Sequence, residues 1–306
     1  MGRILRLLTF FGLLIAPASA GAEVVGSFSP PSPYAGTSAT RAFEQKTGQD
    51  VKVVSFYHPW GSPNSTVQKP WLEAVARRGD VPLITWEPRT PGNFLSVDRK
   101  FNLDSINAGR HDAYIRQYAR DLKEYGRAVY LRPLHEPNGW WFPWGGELRG
   151  NTAAKIIAAW RRIYVLFKQE GNRNARFVYS PVAYDNADIG TYFPGKSFVD
   201  VLALDGFNFG KDDPQGGGRR SFNGVFRESY KRIAALDRSA PIWIAEISST
   251  FDRGFRPTFL RSARIALDSA EYRRISVVVW FDDIGRSGAD FRLRDGATLS
   301  EFRRWG

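Results

Sequence analysis

The sequence predicts an α/β protein, a single (β/α)8 barrel whose strands end on polar side chains, and three observations carry the prediction. Short apolar runs rich in β-branched residues recur about eight times along the 306 residues, mostly separated by stretches with helical periodicity. No Pro- or Ser-rich linker divides the chain, and no short internal repeat is found. The apolar runs end on His58, Glu87, Glu136, Asp205, Glu246 and Asp282, at the rim where a barrel carries its functional groups. A doubly wound sheet is the runner-up, but no Gly-rich phosphate turn follows the first strand. Gly216-Gly217-Gly218 reads as a loop.

Taken in order, residues 24–28 read as the first strand, and residues 38–46 as a helix closed by Gly48. The second strand, 51–57, runs into His58-Pro59-Trp60-Gly61, and the helix over 67–78 stops at Gly79. Strand three, 81–86, ends in Glu87-Pro88 and a longer loop. The helix over 112–125 places Tyr114, Ile115, Tyr118 and Leu122 on one face before Gly126. Strand four, 128–135, delivers Glu136, and Asn151-Thr152 opens a helix that runs to Glu170. Strands five (176–180) and six (199–204) follow, the latter delivering Asp205. A helix over 222–236 leads to strand seven, 241–245, which delivers Glu246; a helix over 258–270 and strand eight, 275–280, complete the set.

Residues 1–20 read as a secretory signal: Arg3 and Arg6, an apolar run over 7–16, then Ala18-Ser19-Ala20 as a cleavage site, with Ala20-Gly21-Ala22 as the alternative. The apolar run is too short to span a membrane, and nothing later reaches span length. A secreted or periplasmic protein is expected, with residues 21–306 as one catalytic domain. The absence of cysteine excludes disulfides, thiolate metal sites and cysteine catalysis. The formal charge of +12 would suit a polyanion, but the arginines are scattered in pairs such as Arg77-Arg78 and Arg161-Arg162, which read as solvated helix faces. No nucleic-acid partner is expected, and a monomer is.

The informative stretch runs from Leu131 to Gly145: a strand ends on His135-Glu136, Pro137 and Gly139 break it, and Trp140, Trp141 and Trp144 follow. Two carboxylates can cleave a glycosidic bond, one as acid/base and one as nucleophile. Glu136 and Glu246 are the best pair, since each ends an otherwise apolar strand, where a charge is costly unless used or paired. One such Glu alone reads more readily as half of an ion pair. Two of them on different strands, with tryptophans alongside, reverse that preference. Arg132 shares strand parity with Glu136 and so points into the barrel, where it needs a carboxylate such as Asp205 or Glu87. With three His and no Cys, neither a metal nor another cofactor is expected, and His58 reads as a group near substrate. Trp141 and Trp144 are candidates to stack on sugar rings, with Trp86 and Trp60 behind them; Trp160 and Trp243 read as core.

The sequence resembles glycoside hydrolase family 26 over most of residues 21–306. The likeness is most specific in Arg132-Pro133-Leu134-His135-Glu136, Asn138-Gly139 and Trp141-Phe142-Pro143-Trp144-Gly145, and extends to Asp112-Ala113-Tyr114-Ile115. The His-Glu pair separates this family from relatives with Asn-Glu. The resemblance implies a retaining glycosidase with Glu136 as acid/base and Glu246 as nucleophile. The two roles require Glu136 to hold a proton and Glu246 to be ionised. It also implies that Trp280 lies under the sugar on the non-reducing side of the cleaved bond. His135 either reaches substrate, as the family suggests, or bonds a neighbouring strand.

Mannanases of the family tend to carry a Tyr after strand six, close to the nucleophile; here the chain reads Asp205-Gly206-Phe207-Asn208. Phe207 has no hydroxyl to orient Glu246, and Asn208 is the expected substitute, as in branches that resemble mixed-linkage glucanases. Ser248 stands where Gly is common, and Pro137 replaces the usual Met. The expected function is a retaining endo-β-1,4-mannanase, with a β-1,3-1,4-glucanase or β-1,3-xylanase as alternatives. A non-catalytic glycan-binding barrel is the alternative of another class, and its mark would be a disrupted acid pair.

Overall fold

A computed structural model describes residues 24–30, 36–146, 148, 150–184, 188–213, 218–252 and 255–305. The expected leader, residues 1–20, and Gly216 and Gly217 lie outside this set. Eight parallel strands close into a barrel in sequence order: β1 (Val24–Phe28), β2 (Val53–Pro59), β3 (Val81–Glu87), β4 (Val129–Pro133), β5 (Ala175–Tyr179), β6 (Val201–Asn208), β7 (Ile242–Ser249) and β8 (Ile275–Phe281). The helices are α1 (Ser38–Thr47), α2 (Lys69–Arg77), α3 (Leu103–Asn107), α4 (Asp112–Tyr125), α5 (Ala153–Gln169), α6 (Phe222–Leu236), α7 (Phe255–Leu267) and α8 (Gly296–Phe302). The predicted (β/α)8 barrel is the fold observed.

Alternation along each strand divides the core into two layers. One set, including Val53, Leu83, Tyr130, Val178, Ala203, Trp243 and Val279, fills the barrel interior. Trp243 closes it against Tyr130, ring centroids 4.3 Å apart. The other set, including Phe56, Ile84, Leu131, Phe177, Leu204 and Val278, meets the apolar faces of the helices. Helix ends follow local chemistry: Thr152 caps α5 by accepting from the Lys155 N–H, and Gly126, at φ 75°, turns the chain out of α4.

Several boundaries differ from the sequence reading by a few residues, and three of them bear on the site. β4 ends at Pro133, before His135. β6 and β7 continue through Asp205 and Glu246 instead of stopping before them. In β7 the register against β6 slips: Leu204 pairs with Ile244, but Asp205 pairs with Glu246. Ala245 is thus one residue too many, a bulge. Trp243 and Ala245 both face the interior, so regular alternation would send Glu246 outward. The extra residue turns it inward, beside Asp205.

Gly206 marks the close approach of α6 to β6: a Cβ there would meet Phe226 Cε1 at 2.4 Å and Val225 Cγ1 at 2.9 Å. Gly206→Ala is expected to cost about 1–3 kcal/mol through overpacking, read as a lowered denaturation midpoint; an unchanged midpoint would contradict this packing.

Candidate active site

The site is built on Arg132. Its position on β4 turns it into the barrel, and its guanidinium is wholly buried. Nη1 donates to both oxygens of Asp205 at 2.8 and 2.9 Å. Nε and Nη2 donate to Thr85 Oγ1 at 3.0 and 2.6 Å, and Nη2 also donates to Glu246 Oε1. Ser180 Oγ donates to Asp205 Oδ1 at 2.6 Å. Burial opposes the charge on Arg132, but Asp205 and Glu246 outweigh it and raise its pKa. The guanidinium therefore stays protonated. A buried cation is tolerable only with this degree of pairing.

Glu246 Oε1 is doubly held, by Arg132 and by the hydroxyl of Tyr57 on β2. Burial first, and then the charge of Glu246, push the Tyr57 hydroxyl well above its ordinary pKa, so it remains a donor. Among the described residues no donor meets Oε2. One oxygen is fixed and the other is left for chemistry.

Glu136 lies just past β4, where the backbone twists. Leu134 and Glu136 have φ of 47° and 49°, the left-handed region that side chains with a Cβ rarely adopt. The turn is held because Glu136 N–H donates to Ser180 O at 2.7 Å. Asn138 also clasps Val182 with two 2.9 Å bonds. The indole of Trp141 donates to Glu136 Oε2. Burial, and next the charge of Glu246, raise the Glu136 pKa to about 8, against the pull of Trp141, Arg132 and Arg286. At neutral pH Glu136 carries its proton.

One oxygen each of Glu136, Asp205 and Glu246 lies within 4.8 Å of the others. Such a trio could suit a divalent cation, but Arg132 already lies against two of its members. What remains is a protonated acid facing a tethered carboxylate.

Residues 97–228 match the glycosyl hydrolase family 26 profile. Over those residues the chain resembles glycosyl hydrolase family 26. It is 34% identical over 252 residues to endoglucanase H of Acetivibrio thermocellus, a match covering 80% of this chain and 26% of that protein. It is 36% identical over 132 residues to mannan endo-1,4-beta-mannosidase A and B of Caldalkalibacillus mannanilyticus, over 42% of this chain and 23% of that one. The chain thus spans about a quarter of the length of these curated relatives. In fold it resembles the catalytic domain of a Bacillus family 26 endo-beta-1,4-mannanase, with TM-score 0.71 and 17% identity, covering 94% of this chain and 87% of that one.

Several expected substrate groups lie elsewhere than the sequence suggested. Trp280 is 0% exposed; it faces the helix layer, against Phe302 and Trp305 at 4.6 and 4.9 Å. Its neighbour Phe281 takes the cleft side, with Phe28 and Phe207 at 5.1 and 5.6 Å. His58 also points outward, bonded to Tyr118 Oη and Asn64 O, both at 2.9 Å. Trp86 is buried between Trp60 and Tyr118, at 4.7 and 4.5 Å. Asn208 bonds Ser249 Oγ at 2.9 Å on the outer face and cannot orient Glu246. The physical reason is the same in all four: each stands on the outward parity of its strand. Asp205, placed at the rim among the candidate substrate groups by its position at a strand end, is sealed beneath Arg132 with no exposed surface. Glu87 pairs with Arg89 at 2.7 Å rather than with Arg132. Asp282 accepts the Leu293 N–H at 2.8 Å.

The loop after Glu136 divides its tryptophans. Trp141 reaches the acid. Trp144 is 2% exposed, stacks on Phe142 at 4.9 Å and donates to His135 O at 2.7 Å, so it braces the loop instead of walling the cleft. His135 is buried between Phe142 and Tyr57, at 4.2 and 5.8 Å. Burial, and next Arg132, hold its pKa well below the usual value, which keeps it neutral. Phe207 does face inward, packed on Phe281 and Phe291. Sequence reasoning missed Tyr57, although Val53-Ser55-Tyr57 share inward parity. It also missed Trp140, 52% exposed beside Trp141.

Two measurements check this geometry. Native Glu136 keeps a proton that the unfolded chain releases near 4.5, so its contribution to stability falls as pH rises from there to about 8. Glu136→Gln should therefore gain stability over wild type at pH 8 relative to pH 5, read from denaturant midpoints; a pH-independent difference would refute the buried acid. Trp280→Phe should lower stability by about 1–3 kcal/mol while leaving KM for substrate unchanged, whereas a raised KM would return Trp280 to the cleft.

Proposed function

We propose that the protein is an exported, retaining endo-β-glycanase, with Glu136 as acid/base and Glu246 as nucleophile. The observation that carries this reading is the approach of one oxygen of each to within 4.8 Å of the other, in keeping with the roughly 5–5.5 Å carboxyl spacing of retention. Glu246 Oε2 attacks the anomeric carbon while Glu136 passes its proton to the glycosidic oxygen, and the leaving chain departs. Arg132 and Tyr57 hold Oε1 so that Oε2 is aimed. Once Glu246 is esterified its charge is gone, and the Glu136 pKa falls. Glu136 then takes a proton from water, which attacks the same carbon and restores the Glu246 carboxylate. Trp141 offers its ring beside the acid, with Trp140 next to it. Export rests on the basic, apolar and small-residue pattern of residues 1–20.

For substrate, β-1,4-mannan is the first reading, supported by the mannosidase named among the relatives. Mixed-linkage β-1,3-1,4-glucan is the second. It is favoured by the ring of Phe207 at the cleft and by the likeness to an endoglucanase over 80% of the chain. Incubation with mannan, lichenan and β-1,3-xylan, followed by product sizing, decides between them. Release of oligosaccharides from one polymer, with the anomer first formed matching the substrate, is expected. No release from any of them, or activity surviving Glu246→Ala, would overturn the reading.

On the preferred polymer, kcat/KM should fall on the alkaline side as Glu136 ionises near pH 8. Tyr57→Phe should lower kcat by about 10- to 100-fold, the value of one hydrogen bond to a charged group, and kinetics within twofold of wild type would remove Tyr57 from the mechanism.

A further inference from the structure

Arg286 stands on the loop between β8 and α8, far in sequence from the acid. That loop is a tight hairpin: Gly285 N–H donates to Ala289 O at 2.7 Å and Phe291 N–H to Asp283 O at 3.0 Å. From it Arg286 Nη1 donates to the carbonyl of Trp141 at 2.9 Å. The same carbonyl accepts the Leu95 N–H at 3.2 Å, so the loops after β3, β4 and β8 meet on one atom. The guanidinium also lies over the ring of Phe94 at 4.1 Å and near that of Phe142 at 5.6 Å. Arg89 covers Phe94 at 4.2 Å. Two cations thus flank one ring, and they differ in one respect. Arg89 is neutralised by Glu87; among the described residues Arg286 pairs with no carboxylate.

We propose that Arg286 is a positioning residue for the general acid: it holds Trp141 where its indole meets Glu136, and it presents a cation to that carboxyl. The inference rests on the glycosidase reading above. The charged and titratable groups around Glu136 are Glu246 on β7, Asp205 on β6, Arg132 on β4 and Arg286, with His135 and Tyr57 nearby; Arg89 and Glu87 face Arg286 itself. Of these cations, Arg132 is committed to Asp205 and Glu246. Arg286 is the one whose removal changes the field at Glu136 without dismantling the nucleophile. Its charge lowers the Glu136 pKa, so its loss raises the pH at which the acid ionises.

The test compares wild type, Arg286→Ala and Arg286→Lys on two substrates. One is the preferred polysaccharide, whose leaving group needs a proton; the other is an aryl β-oligosaccharide of the same sugar with a dinitrophenolate leaving group, which does not. Arg286→Ala should lower kcat/KM on the polysaccharide about three- to tenfold and leave that on the aryl substrate within about twofold. The alkaline limb of the polysaccharide profile should move up by on the order of half a pH unit. Arg286→Lys, which keeps the charge but not the planar stacking, should restore the limb. An equal loss on both substrates, or an unmoved limb in Arg286→Ala, overturns the inference while an active wild type leaves the glycosidase reading standing. A wild type that cleaves neither substrate removes both.

Discussion

A single buried guanidinium organises this molecule. Arg132 enters the barrel from β4 and, with no water to solvate it, must be met by protein. Asp205 accepts from Nη1 with both its oxygens, Thr85 accepts from Nε and Nη2, and Glu246 accepts from Nη2. Each partner comes from a different strand, so the pairing ties β3, β4, β6 and β7 together at the level of the site. The same contacts remove freedom from Glu246, which is what a nucleophile needs. Structural and chemical roles here share one set of atoms.

The two glutamates are treated in opposite ways by their surroundings. Glu246 is met by a cation and a phenol, both donors. Glu136 is met by burial, by the charge of Glu246 and by a single indole N–H. The first environment fixes one oxygen of its glutamate, and the second favours a neutral acid. Glu136 also sits on backbone that resists its conformation, at φ 49°. That cost is offset by main-chain and Asn138 bonds to the segment after β5. The acid is therefore placed by its backbone more than by its side chain.

Much of this was legible in the sequence. Periodicity and the acids at strand ends predicted the barrel, and the chemistry of one strand predicted an inward Arg132 paired with Asp205 or Glu87, of which Asp205 is the partner found. What was not legible was parity. Trp280, Trp86, His58 and Asn208 lie at or near strand ends, where the sequence suggests a rim, yet each faces the helices. Their immediate neighbours Phe281, Tyr57 and Phe207 hold the inward positions instead. A reading by proximity to a strand end cannot separate two adjacent residues; only counting from a known interior side chain can. Tyr57 illustrates the cost of not counting, since the hydroxyl sought near Phe207 and Asn208 arrives from β2.

Counting would have failed once, at Glu246. From Trp243 and Ala245 inward, the next residue should face out, and it does not because β7 carries one residue more than β6 across that interval. The presence of the charge inside the barrel is therefore a matter of how β7 pairs with β6 as well as of composition. Along most of this strand a change of residue alters volume or polarity locally. At Ala245 it is the bulge that matters: were the same residues paired in unbroken alternation, Glu246 would rotate into the apolar layer under the helices and leave Arg132 facing one carboxylate.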